Sequence, residues 1–164
     1  MDKILERVKS YIKVIGIGSS WLNVMLVFLI CLDVFMRYLF NQSYNWILEL
    51  EWHLFGLIFL LGSAYTLQKD KHVRVDIFYN DFSSKQKAVV DLLGSMFLLI
   101  PWCLVAIHTC TNYASNSFYI KENSPNPGGL PALYVIKFMI VFGFILLFIQ
   151  GLVIIIQQIK TLVR

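Results

Sequence analysis

Four long stretches with almost no charge decide what this chain can fold into. A helix crossing the ~30 Å hydrocarbon core of a bilayer needs ~20 mostly apolar residues, and it must satisfy its own backbone hydrogen bonds there. Val14 to Leu32 is uncharged, and so is Trp52 to Gln68, which Trp46 to Leu50 extends across Glu49 and Glu51. Leu92 to Ile120 is uncharged but turns polar at Thr109. Phe138 to Ile159 is bracketed by Lys137 and Lys160, whose long stems can snorkel to the two interfaces. The expected architecture is all-α and integral to the membrane: one domain over residues 1–164, with four transmembrane helices at about 14–37, 46–68, 86–111 and 132–159. Composition agrees, because 58% of the residues are hydrophobic and only 15% charged, against ~25% charged in soluble domains. A soluble enzyme is excluded, and so is a collagen-like or disordered chain, given 9 Gly and 4 Pro.

Cytoplasmic loops collect Lys and Arg, so basic residues report orientation. Lys3, Arg7, Lys9 and Lys13 precede the first span; Lys69, Lys71, Arg74, Lys85 and Lys87 lie between the second and third; Lys160 and Arg164 follow the fourth. Only Arg37, Lys121 and Lys137 fall on the other side. Both termini are expected in the cytoplasm, and the net charge of +4 reads as topology and contact with anionic lipid rather than nucleic-acid binding. Ahead of the first span, Ile4, Leu5, Val8, Tyr11, Ile12 and Ile15 recur at helical spacing opposite the basic residues. That pattern fits an amphipathic helix lying in the interface, or a cytoplasmic extension of the first span. Asp2, Glu6 and the length of the apolar run speak against a cleaved signal peptide.

Several polar groups interrupt the apolar background. Asp33 and Arg37 stand one turn apart near the outer end of the first span, either pairing with each other at the headgroups or serving an ion path or partner contact. Glu49 with His53, and Trp46 with Leu50, fall at i,i+4 where the second span begins. The polar stripe points to another protein or another helix, and the alternative is carboxylates in water beside interfacial Trp anchors. His53 and His108 are each expected one to two turns below the outer surface, so a haem between them is conceivable. Cys103 and Cys110 are roughly 10 Å apart along one helix, beyond disulfide reach, and neither metal nor disulfide is expected. Val73 to Ile77 alternates as an extended segment or turn, Ser83 with Gln86 forms a capping box, and Pro101 kinks the third helix by freeing the Phe97 carbonyl. Asn123 to Pro131 is a rigid turn cluster without phosphate-loop spacing. With Tyr38 to Asn45 it makes an outer surface suited to protein docking.

Taken in order, Asp33-Val34-Phe35-Met36-Arg37-Tyr38-Leu39-Phe40-Asn41-Gln42-Ser43, Trp46, Glu49-Leu50-Glu51-Trp52-His53-Leu54-Phe55, Leu61-Gly62-Ser63-Ala64-Tyr65-Thr66-Leu67 and His72-Val73-Arg74-Val75-Asp76 resemble the small membrane subunit of TRAP (tripartite ATP-independent periplasmic) transporters. Ser124-Pro125-Asn126-Pro127-Gly128-Gly129-Leu130-Pro131, Ile136-Lys137 and Gln150-Gly151 look like the branch linked to 2-oxo acids and related small organic acids. The resemblance implies a non-catalytic subunit of the bacterial inner membrane. It would brace the scaffold of a large membrane subunit that imports organic anions on a sodium gradient, and help a periplasmic substrate-binding protein dock. Sodium ligands and cofactors are expected elsewhere than in this chain. The family motif falls on Asp33, Arg37, Tyr38, Asn41, Trp46, Glu49, His72 and Asp76. Side and chemistry make Arg37, Trp46, Glu49 and Lys121 the docking candidates, and Gly56, Gly62, Gly94, Gly143 and Gly151 mark expected close helix approaches. Two other classes compete: a di-histidine membrane cytochrome on His53 and His108, and a small multidrug-type exporter on Asp33, which the pairing with Arg37 disfavours. Four spans also leave little room for the broken, repeated helices that bind substrate at the midplane.

Overall fold

The computed structural model describes residues 2–69 and 82–163, and among them every regular element is helical. Helix α1, Asp2–Phe40, runs 39 residues without a break, about 58 Å at 1.5 Å per residue. It stops at Asn41, whose φ of 56° leaves the right-handed region. Helix α2, Asn45–Gln68, follows an extended Tyr44. The third span is built of three pieces: α3, Ser84–Gly94; a π-helical turn, Ser95–Leu99; and α4, Ile100–Tyr119. Helix α5, Tyr134–Val163, is the most apolar. Four helical segments, Lys3–Phe40, Asn45–Gln68, Ser84–Tyr119 and Tyr134–Val163, are long and apolar enough to cross a membrane.

Local chemistry explains the joints. Ser83 and Gln86 bond reciprocally at the start of α3, the capping box read from the sequence. The disturbance expected at Pro101 lies one turn earlier. Because Pro has no N–H, the hydrogen-bond ladder ahead of it must change, and it does so as a π turn in which the Ile100 amide donates to the Ser95 carbonyl. Helix α4 then continues to residue 119, past the polar positions from Thr109 onward, with the Thr111 hydroxyl donating to the Ile107 carbonyl.

The amphipathic segment at the N-terminus is no separate interfacial helix but the first turns of α1. Part of its apolar side faces protein: Ile12 packs with Ala64 and Leu146, flanked by Val8, Ile15, Leu61, Tyr65 and Ile149, while Ile4 and Tyr11 are exposed. The Gln68 amide of α2 also donates to the Lys9 carbonyl at 3.1 Å. A second cluster, Leu29, Ile47 and Leu54, joins the opposite ends of α1 and α2. Helix α2 then packs on α5, and α5 on both α3 and α4, so the spatial order is α1, α2, α5, third span. Between Leu93 and Val105 the exposed positions of the third span are all apolar, among them Phe97, Leu98 and Trp102, and beyond them His108, Thr109, Thr111 and Asn112 are exposed.

Glycines set two of these contacts. A Cβ at Gly143 would stand 2.9 Å from Leu60 Cβ and 3.3 Å from its carbonyl oxygen, and one at Gly151 would stand 3.0 Å from Leu99 Cδ2. At Gly56 and Gly94 a Cβ would meet nothing within 4 Å in this chain, and at Gly62 only Ser19 Oγ at 3.8 Å. Gly16, which the sequence reading passed over, lies against the Tyr65 side chain so closely that any Cβ would overlap it. Gly143→Ala is expected to cost about 1–3 kcal/mol, because part of the neighbour it meets is backbone that cannot swing away. Gly56→Ala should be neutral or stabilising, as Ala is the better helix former. Thermal unfolding of the two variants in one detergent checks this, and equal melting temperatures would contradict the packing.

Candidate docking surface at the 41–45 and 120–133 connections

Glu49 organises one end of the bundle. Its side chain begins one turn into α2 and turns toward the connection between α4 and α5. There Oε1 accepts from the Ser124 hydroxyl and from Asn126 Nδ2 at 2.9 Å, while Oε2 accepts from the Leu130 amide at 2.7 Å. The residue is 3% exposed, so these bonds replace the water it would otherwise hold. The connection is shaped for this grip. Pro127 and Gly128 take the central positions of a turn closed by the Gly129 amide on the Asn126 carbonyl, and Gly128 has φ 71°, the type II arrangement. Gly129 must lack a side chain, since its Cβ would stand 2.6 Å from Ser124 Cβ and 2.7 Å from Glu49 Oε1. Asn45 Nδ2 donates to the Pro127 carbonyl at 2.9 Å, tying the start of α2 to the same turn. The two connections therefore form a single stapled surface.

A second fastening lies behind the first. Helix α4 ends with Lys121 in the left-handed region at φ 48°, where the Glu122 amide reaches the Ser117 carbonyl and the Lys121 amide the Phe118 carbonyl. This turns Glu122 back against α5, where it pairs with Lys137. Lys137 was expected to snorkel to the interface. It is instead buried, its ammonium held by Glu122 and lying 4.0 Å from the centre of the Tyr113 ring. The hydrogen bond from Lys137 holds the Glu122 carboxyl below its ordinary range.

The residues singled out from the sequence divide by exposure. Asp33 is buried and pairs with Arg37, whose side chain remains about half exposed. The second oxygen of Asp33 has no partner, and Glu51 stands close enough to feel both charges. Arg37, Tyr38, Asn41, Trp46 and Lys121 are exposed at this end and available to a partner. Glu49 is not, so its part in docking would be to shape the 124–130 turn rather than to touch the partner. Its hydrogen-bond partners Ser124, Asn126 and Leu130 escaped the sequence reading, because they lie 75 to 81 residues away. The available signal was a carboxylate at a span entrance with no Lys or Arg one turn away on its own helix. His72 and Asp76, and the alternating segment from Val73, lie outside the described residues.

The two histidines are not arranged as a pair. His53 is buried, donates from Nδ1 to the Glu49 carbonyl and stacks on Trp52 with ring centres 4.3 Å apart. His108 is exposed beside Asn112 on α4, which packs on α5, whereas α2 lies between α1 and α5. Among the described residues no three of His, Cys, Asp and Glu converge as metal ligands. What this end offers is a rigid, hydrogen-bonded platform with exposed aromatic and cationic groups, suited to recognition.

Residues 26–161 match the family described as "Tripartite ATP-independent periplasmic transporters, DctQ component". No curated protein sequence matches the chain.

Proposed function

The chain belongs to the DctQ family, the small inner-membrane component of TRAP transporters, and from that premise we propose that it is a non-catalytic brace in a sodium-coupled importer of organic acid anions. The family works with a large membrane subunit and a substrate-binding protein. In our reading both termini are cytoplasmic, so the stapled 41–45 and 120–133 surface faces the periplasm. There Arg37, Trp46 and Lys121 contact the binding protein, and Glu49 holds the surface in shape. The match over residues 26–161, which takes in the last turns of α1 and nearly the whole of the other three membrane-length helices, carries the proposal. The large subunit moves the substrate. This chain stiffens the part of it that stays still. The cytochrome and exporter readings are not favoured: His53 and His108 stand on helices separated by α5, and Asp33 is paired with Arg37.

The test is reconstitution. The tagged chain, co-expressed with its large subunit, should retrieve that subunit from mild detergent, and uptake in proteoliposomes should require both together with the binding protein. A chain that purified alone and transported alone would refute the proposal.

A further inference from the structure

One flank of the α1–α2 pair gathers small and polar residues. A groove of about 580 Å³ runs along it, lined by Gly16, Ser20 and Asn23 from α1 and Gly62, Ser63 and Thr66 from α2, with Ile17 and Phe59 among its apolar walls. The hydroxyl protons are already used: Ser20 donates to the Ile17 carbonyl at 2.6 Å, Ser63 to Leu60 at 2.8 Å and Thr66 to Gly62 at 2.9 Å. Asn23, which is exposed, gives one proton to the Ser20 carbonyl at 3.2 Å, and its amide retains further donor and acceptor capacity.

Depth makes this consequential. Asn23 lies midway along α1 between Lys9, which Gln68 of α2 grips, and Arg37 at the opposite end, about 21 Å from each at 1.5 Å per residue. An amide at that depth would meet acyl chains, which offer it no hydrogen bond. A second helix does offer one, and small residues let its backbone approach. Two copies of this chain meeting through the same patch would set groove against groove and leave both unfilled. The stretch of the third span around Leu98 and Trp102, where every exposed residue from Leu93 to Val105 is apolar, shows what a lipid-facing surface of this chain looks like.

We propose that the α1–α2 groove seats a transmembrane helix of the large membrane subunit, one presenting small residues and a hydrogen-bonding side chain to Asn23. The inference rests on the subunit reading above and adds the face that carries the contact. Photo-crosslinking in the co-expressed complex tests it, with benzoyl-phenylalanine placed at Asn23 or Thr66 and, as the comparison, at Leu98 or Trp102. Crosslinks to the large subunit from the groove positions should exceed those from the α3–α4 flank about tenfold. In parallel, Asn23→Leu with Gly62→Phe should lower the large subunit recovered per tagged chain by about tenfold while leaving the chain's own melting temperature unchanged. Crosslinks to lipid or to a second copy alone, or equal crosslinking from both flanks, would overturn the groove assignment while leaving the subunit reading intact. Failure of the unmodified chain to retrieve any large subunit would instead overturn the subunit reading, and the assignment with it.

Discussion

Glu49→Gln is expected to loosen the whole 120–133 connection, although it changes a single atom of a buried side chain. The carboxylate accepts on both oxygens, from Ser124 and Asn126 on one and from the Leu130 amide on the other. A Gln in the same place accepts on only one. Whichever way its amide turns, an NH₂ group faces a donor, so either the side-chain pair or the backbone amide loses its acceptor and is repelled. Leaving such groups unpaired costs more than the bond was worth. The melting temperature of the solubilised protein should fall by about 5–10 °C, and protease should cut near residues 124–131 where it does not cut the parent. Uptake by the complete transporter should drop several-fold at limiting concentrations of binding protein and recover as more is added, since a deformed platform weakens docking. Gly129→Ala should reproduce the defect from the other side, because its Cβ would collide with Ser124 and Glu49. Unaltered proteolysis in both variants would show that Glu49 does not hold the turn.

Much of this molecule could be read from the sequence, and the reasons it could not be read further are physical. The four helices follow from the length of the uncharged runs, because a single run that long satisfies all its backbone groups in lipid by itself only as a helix. The Asp33–Arg37 pair and the Ser83–Gln86 box are local, spanning four and three residues, so spacing alone reveals them. The amphipathic pattern before residue 14 was equally visible but ambiguous. An apolar stripe does not say whether it faces headgroups or other helices, and here Ile12 meets Ala64 and Leu146. Glycines were misleading for a related reason: Gly56 and Gly94 meet nothing in this chain, whereas Gly16 meets Tyr65. Helix α4 ran past its expected end because Thr, Ser and Asn near residue 110 can bond back to their own helix. Glu49 and Lys137 were both expected where a span begins, Glu49 facing either another helix or water and Lys137 snorkelling to the interface, and neither set of partners could be read from spacing. Their partners come from a connection whose path depends on the packing of α4 and α5.

Lys137 should prove as consequential as Glu49. Replacing it with Met keeps the length and apolar character of the stem but removes the ammonium that fastens Glu122 and lies over Tyr113. Lys137 is buried and Glu122 about a third exposed, so removing the lysine alone leaves a partly buried carboxylate uncompensated, which costs more than replacing both. Lys137→Met should therefore lower the melting temperature at pH 7 by about 5–10 °C. Adding Glu122→Gln should restore part of that loss, a sign opposite to what two independent defects would give. Acidity supplies a second reading. The folded-state pKa of Glu122 lies below its ordinary 4.5, chiefly through the hydrogen bond from Lys137. Its contribution to stability is thus fully present above 4.5 and lost as the pH falls through the lower folded value. The parent should lose stability below pH 4.5, where the double variant, lacking both groups, should lose less. If Lys137→Met melted like the parent at pH 7 and showed the same acid profile, the pair would be incidental to the fold. The platform would then depend on Glu49 alone.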